Sequence, residues 1–416
     1  MNSQKSARST TQIAIIGAGP AGLMAADKLS QAGLSVTVYD RMPSPARKFL
    51  MAGRGGLNLT HAEALDLFLD RYGPARDKLE EAIRAFSPDD LRAFAHDLGQ
   101  ETFIGSSGRI FPEAMKASPF LRAWLSRLNA NGVRFALRHD WQGWDEAGAL
   151  RFVAPGGEIT THPDCTLLAL GGASWPKLGA DGRFRSLLAA KGVSINPFRP
   201  TNVGIRVTWS ALLKERYAGT PLKRIALSCM GRIVKGEAML TRYGLEGGAV
   251  YALSREISDA IETHEKPYMA CDFRPDMPVK ELDARLNMAK KSDSFSNRLR
   301  KAAGLSPVAI ALLHEDAARI GRKLADYPPI ALSKLIKACH IPIEGVSGLE
   351  RAISSAGGVQ WGNLTPDFEL KALPGVFLAG EMIDWDAPTG GYLLQACFST
   401  GHAAAQGVLR YLKPDQ

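Results

Sequence analysis

The feature that most constrains this chain is Gly17-Ala18-Gly19-Pro20-Ala21-Gly22, a G-x-G-x-x-G spacing set between segments of different periodicity. Ahead of it, Ile13 to Ile16 is a short apolar run suited to a strand buried on both faces. Behind it, Leu23 to Leu29 has good helix propensity, Gly33 closes that helix, and Leu34 to Tyr39 alternates as a second strand. Asp40 stands at the end of that strand, 23 positions after Gly17, with Arg41 beside it. Strand, turn, helix, strand and terminal acid together describe a dinucleotide-binding unit, where the three glycines divide the work. Gly17 permits the tight turn, Gly19 lets a diphosphate approach the backbone, and Gly22 lets the helix pack closely on the strand. The helix N-terminus, with Pro20 and Ala21 in its first turn, offers partial positive charge to phosphates. Asp40 is placed to accept from ribose hydroxyls, and an acid there favours a dinucleotide without a 2'-phosphate.

Composition narrows the remaining classes. With 416 residues, 45 % of them apolar and 22 % charged, the chain is an ordinary globular protein of more than one domain, neither fibrous nor disordered. Ile13 to Ala26 carries no charge and follows Lys5 and Arg8, which superficially copies a secretory signal. The run holds three glycines and a proline, and it is shorter than the ~18 residues a membrane span needs. Five dispersed cysteines, Cys165, Cys229, Cys271, Cys339 and Cys397, form neither a disulfide framework nor a C-x-x-C pair, so a reducing, cytoplasmic setting is expected and a thiol relay is not. His61, His96 and His314 lack metal-ligand spacing, and no metal is assigned. The net charge of +9 would favour anionic partners, yet the basic cluster of Lys290, Lys291, Arg298, Arg300 and Lys301 reads as a solvated helix face.

Further glycine clusters decide between flavin and nicotinamide. Cys165 to Leu170 is an apolar strand ending in Gly171-Gly172; Gly375 to Ala379 is another, ending in Gly380-Glu381 with Asp384 close behind. Gly390-Gly391 then opens an almost uncharged helix from Tyr392, Leu393 onward to Val408, whose positive end suits the pyrimidine oxygens of a flavin. Any one pair alone is an ordinary turn; their joint order describes an FAD fold that has received a large insertion. Lys48, Arg54, Gly55 and Gly56 belong to the same cofactor set, the two cations as neutralisers of the diphosphate or the reduced flavin. Arg109 and Tyr392 are candidates for holding substrate or donating a proton, although a helix-end ion pair and a buried aromatic explain them equally well. Trp175, Trp361 and Trp385 near these motifs read as core packing.

These motifs resemble the BaiN/RdsA-like family of bacterial NAD(P)/FAD-dependent oxidoreductases. The resemblance rests on Gly17 to Gly22, Arg47-Lys48, Gly53 to Thr60, Gly108 to Pro112, Ala169 to Ser174, Gly357-Gly358-Val359, Gly380 to Asp384 and Gly390 to Gln395, in order along almost the whole chain. The chain departs from the commoner Gly-Arg-Cys-Asn pattern with Gly55-Gly56-Leu57-Asn58, and has Ala387-Pro388-Thr389 where Asp-Gly often precedes the glycine pair, which marks a distinct subgroup. The resemblance implies an α/β protein: a Rossmann-like FAD-binding domain interrupted by a β-rich, barrel-like domain and a small helical domain. Alternation in Asn202 to Thr208 and Ile225 to Lys235, against helical patterning from Lys280 to Cys339, supports that order. The expected domains are 1–195 with 342–416 for FAD, 196–270 for the β-rich insertion and 271–341 for the helical one. Ser87-Pro88 and Ser306-Pro307 are read as helix starts.

The leading expectation is therefore a cytoplasmic FAD oxidoreductase, with NADH or NADPH as a transient reductant, that reduces an unsaturated or carbonyl-activated small molecule. A flavin-using RNA-modifying or RNA-binding protein and a non-catalytic FAD redox sensor stay open as alternatives. No membrane partner is expected.

Overall fold

The computed structural model describes residues 11–52, 55–290 and 292–413; Arg54 and Lys291 lie outside the described residues. The chain divides into two compact units, residues 1–199 with 354–416, and residues 200–353.

The discontinuous unit is built on a five-stranded parallel sheet. Its strands are β1 (Gln12–Ile16), β2 (Ser35–Asp40), β3 (Arg134–Leu137), β4 (Cys165–Leu168) and β5 (Val376–Leu378), in spatial order β5-β4-β1-β2-β3. Ile13 pairs with Cys165 on one side and with Val36 on the other, so the strand order reverses at β1. That reversal opens a crevice at the carboxyl ends of the strands, where doubly wound sheets bind their ligands. Helix α1 (Pro20–Gln31) starts on Pro20, which needs no N–H partner, behind Gly19 as an N-cap with no capping side chain. Its first-turn N–H groups are thus left open toward that crevice. The short helix α2 (Arg47–Ala52) is anchored at its start because the Ala46 N–H donates to Ala18 O (2.9 Å) within the glycine loop.

The last helix, α3 (Tyr392–Leu412), runs to Leu412, beyond the expected Val408, and Arg410 near its end pairs with Asp367. It packs on α1 where Gly401 lies against the Ala21 carbonyl with no room for a Cβ. Ser87 caps the helix Pro88–Asp97 in a reciprocal box with Asp90. Asp27, fully buried on α1, is held by both arms of Arg127 (3.1 and 2.7 Å).

Residues 200–353 form a six-stranded antiparallel sheet and a set of helices around a second apolar core. The segment from Ile225 to Lys235 is the tip of a hairpin, Thr220–Cys229 with Arg232–Thr241, turning at Met230-Gly231. Asn202 to Thr208 contributes only Ile205–Arg206 as strand. Tyr268–Asp272 pairs with Cys339–Pro342, Cys271 opposite Cys339. A boundary at 271 therefore cuts a strand, and a boundary at 342 falls where the last strand ends; the helices between close onto the same core as the sheet. This unit carries 24 Lys and Arg against 17 Asp and Glu, so +7 of the net +9 resides in it. No helix among the described residues is long and apolar enough to cross a membrane.

Candidate functional site

A cavity of about 490 Å³ lies at the crevice beside β1. It brings together Gly17, Gly19, Pro20, Ala21, Asp40, Arg41, Lys48, Gly171, Gly380 and Glu381 from the sequence-derived set, drawn from segments more than 300 residues apart. The glycines of the loop separate by what surrounds them. A Cβ on Gly17, whose φ is +108°, would strike the Ala169 carbonyl, and one on Gly22 would strike the Gly17 carbonyl. Gly19 has nothing within 4 Å of where its Cβ would stand, so its missing side chain leaves open space at the cavity wall.

Asp40 accepts from the Ala18 N–H (2.8 Å) and the Met42 N–H (2.7 Å), one on each carboxylate oxygen. Burial pushes its carboxyl up, and those two N–H groups pull against the rise. Each oxygen keeps a lone pair for a hydroxyl donor. Arg41 pairs with Asp181 (2.9 Å) and donates to Pro176 O (3.2 Å), which leaves its buried Nε without a partner.

Lys48 is committed to protein. Its ammonium donates to Ser174 Oγ (2.5 Å) and pairs with Glu381 Oε2 (2.8 Å), while the other carboxylate oxygen of Glu381 accepts the Ser355 N–H (2.9 Å). Glu381 is only 5 % exposed, so this pair closes a polar network behind Gly172 and the turn at Gly380. The adjacent Arg47 also lines the cavity, and its Nε is buried without a partner. The sequence places Arg47 in the family motif but assigns only Lys48 to the cofactor, since nothing local separates the roles of the two. Cys397 on α3 reaches the cavity as well; burial pushes its thiol up to about 12, so it stays protonated at neutral pH.

The remaining residues of the set lie outside the cavity lining. Gly172 packs against Ser355 and Glu381; Asp384 accepts from Asn196 Nδ2 (2.6 Å) and from Trp361 Nε1 through its carbonyl (2.7 Å). Gly55 and Gly56 precede an extended segment ending in Thr60–His61, where Gly56 leaves no room for a Cβ beside Met115. Gly390 and Gly391 turn with positive φ into the start of α3, and Gly391 fits directly against the Thr60 backbone. Leu393 is in the first turn of that helix.

At this helix start Tyr392 donates to Glu63 (2.5 Å), and Glu63 is gripped by both arms of Arg71 (3.1 and 2.6 Å). Against the burial that would raise it, the bonds from Arg71 and Tyr392 hold the Glu63 carboxyl below its usual range. Burial and Glu63 together push the Tyr392 phenol up, so it stays protonated and its proton is engaged. His61 stacks on Tyr392 with ring centroids 5.5 Å apart. Arg109 stands opposite His61 in an antiparallel pair, and its side chain has no hydrogen bond or ion pair among the described residues. The helix-end ion pair considered for Arg109 is therefore not formed among the described residues, and Arg109 lies in a strand. Thr60 Oγ1 and Asn58 Oδ1 are buried without partners nearby in the same segment.

A family model, the HI0933-like protein Rossmann domain, matches residues 11–407. The chain belongs to the HI0933-like family. Among similar proteins, the 3-dehydro-bile acid delta(4,6)-reductase of Clostridium scindens is 27 % identical over 415 residues, covering 95 % of this chain and 98 % of that protein. The ribosomal RNA dihydrouridine synthase of Haemophilus influenzae is 23 % identical over 406 residues, with 95 % and 98 % covered. The 3-ketosteroid delta1-dehydrogenase of Sterolibacterium denitrificans shares the fold at a TM-score of 0.53 and 12 % identity, covering 96 % and 99 % of the two chains. The HI0933-like chain is an FAD-dependent oxidoreductase. Its cavity fits that cofactor on its own chemistry: open space at Gly19, an uncapped α1 N-terminus, unpartnered guanidinium N–H groups on Arg41 and Arg47 for phosphate oxygens, and free lone pairs on Asp40 for a ribose.

Proposed function

We propose that this chain reduces an unsaturated or carbonyl-activated organic substrate, with NADH or NADPH as a transiently bound hydride donor. The observation that carries this reading is the likeness to a reductase along 95 % of the chain. Flavin, when bound, supplies the hydride chemistry itself. Asp40 would hold the adenosine ribose, the loop from Gly17 to Gly22 would hold the diphosphate against its open N–H groups, and Gly380 would let the backbone turn close beside it. The N–H groups at the start of α3, after Gly390 and Gly391, would offer partial positive charge to a reduced flavin. Only one complete G-x-G-x-x-G is present in the sequence, so the nicotinamide nucleotide binds without a second fold of its own. The balance is one hydride from the nicotinamide and one proton from solvent or a donor, added across one double bond.

Tyr392 serves here as a holding group, because its proton already lies on the hydrogen bond to Glu63. Arg109, with no hydrogen bond or ion pair among the described residues, is the group assigned to the substrate oxygen. Arg109→Met is expected to remove one charged hydrogen bond, about 1.5–3 kcal/mol, and so to lower kcat/KM roughly 10- to 100-fold with flavin content unchanged. Steady-state turnover with unchanged KM and kcat would remove that assignment.

The reading as a whole is tested by aerobic purification followed by turnover with NADH or NADPH against enones, quinones and uridine-bearing RNA. A yellow protein that adds two hydrogens to a small unsaturated carbonyl compound supports it. Turnover of the RNA alone, or of none of them, overturns it.

A further inference from the structure

We propose that Arg47, and not its neighbour Lys48, is the side chain whose charge holds the cofactor's diphosphate. This rests on the FAD reading of the cavity. Of the cations lining that cavity, three are matched by carboxylates: Arg41 by Asp181, Arg183 by Asp140 and Asp181, and Lys48 by Glu381. Arg185 has no carboxylate, but its Nε donates to Gly182 O and its guanidinium lies over the Phe198 ring. Arg47 has a long contact from Nη1 to Ser44 Oγ (3.4 Å) and lies within electrostatic reach of the Asp40 carboxylate, but it forms no ion pair among the described residues and has a buried Nε with no acceptor.

Its placement matches the task. Ala46, the residue before it, is held at positive φ (54°) with its N–H on Ala18 O, between Gly17 and Gly19. The backbone bond therefore pins the base of Arg47 to the same loop that leaves open space at Gly19. A guanidinium with no ion pair among the described residues and an idle buried N–H, fixed beside a phosphate loop, is complementary to a diphosphate, which supplies both negative charge and acceptor oxygens. Lys48 and Glu381 form a pair with no net charge, which locks the turn at Gly380 to α2 and offers the cofactor little.

The test measures FAD dissociation constants of the apoprotein by fluorescence quenching at several salt concentrations, beside the thermal midpoint of each apoprotein. Arg47→Met is expected to weaken FAD at least tenfold and to flatten the salt dependence, with the apoprotein midpoint unchanged; Arg47→Lys is expected to recover part of both. Lys48→Met is expected to keep the wild-type salt dependence and to lower the midpoint. Equal FAD affinity in wild type and Arg47→Met, or a flattened salt dependence in Lys48→Met instead, overturns the assignment while leaving the FAD reading intact. A wild-type chain that takes up no FAD sinks both.

Discussion

Gly19→Val is expected to yield a folded protein that no longer retains flavin. The backbone at Gly19 has φ −83° and ψ −180°, an extended conformation open to any residue, and its Cβ would meet no protein atom within 4 Å. Beyond its chain neighbours the protein leaves the Cβ unopposed, so the cost of the substitution is expected to fall on the ligand that needs the space. Gly17→Ala and Gly22→Ala make the contrast, because each would drive a methyl group into a backbone carbonyl, and Gly17 also needs positive φ. Those two should lose folded protein, whereas Gly19→Val should keep its circular dichroism spectrum and thermal midpoint as apoprotein and lose bound FAD by absorbance. Stoichiometric flavin in Gly19→Val would refute the placement of the diphosphate; a large fall in its apoprotein stability would refute the division of roles among the three glycines.

Lys48→Met is expected to destabilise the discontinuous unit by about 2–4 kcal/mol. Glu381 is buried, and its carboxylate depends on Lys48, with further support from the Ser355 N–H. Removing the ammonium leaves a buried negative charge with only the Ser355 N–H and hydroxyl to meet it, the costly half of a broken pair. The partial exposure of Lys48, at 25 %, keeps the figure toward the lower part of the range for buried pairs, since water reaches one side. The double change Lys48→Met with Glu381→Gln should recover much of the loss, because the amide can keep the Ser355 bond without a charge. Denaturant unfolding of both variants checks this. A single variant as stable as wild type, or a double variant no better than the single, would show that the pair is not what holds the turn at Gly380.

How much of this was legible in the chain follows from distance along it. The dinucleotide unit from Ile13 to Asp40 was readable because strand, turn, helix and acid are all local, and their order alone decides the geometry. Gly171 and Gly380 could be placed near it because an apolar strand before each glycine implies a place in the same sheet. The ion pair of Lys48 could not be read from its neighbours, since its partner Glu381 lies 333 residues away, and the same holds for the hydrogen bond of Tyr392 to Glu63. Arg47 and Lys48 look alike in sequence, and only the presence of a carboxylate near one of them separates their chemistry. The limits of the insertion were blurred for a related reason. Tyr268–Asp272 pairs with a strand almost seventy residues later, so sheet and helix segments that alternate in sequence share one core, and a composition shift marks no boundary there. The excess positive charge belongs mostly to residues 200–353 once the two units are separated.

On the proposed function, FAD held in this cavity would take a hydride from a nicotinamide nucleotide and pass it to an activated double bond. Anaerobic stopped-flow absorbance of the flavin-loaded protein measures both halves of that transfer in sequence. NADH or NADPH is expected to bleach the oxidised flavin band, and a conjugated enone is then expected to restore it without oxygen, with one saturated product formed per flavin reoxidised. A flavin that neither nicotinamide reduces, or that stays reduced before every unsaturated carbonyl compound offered, would contradict the claim.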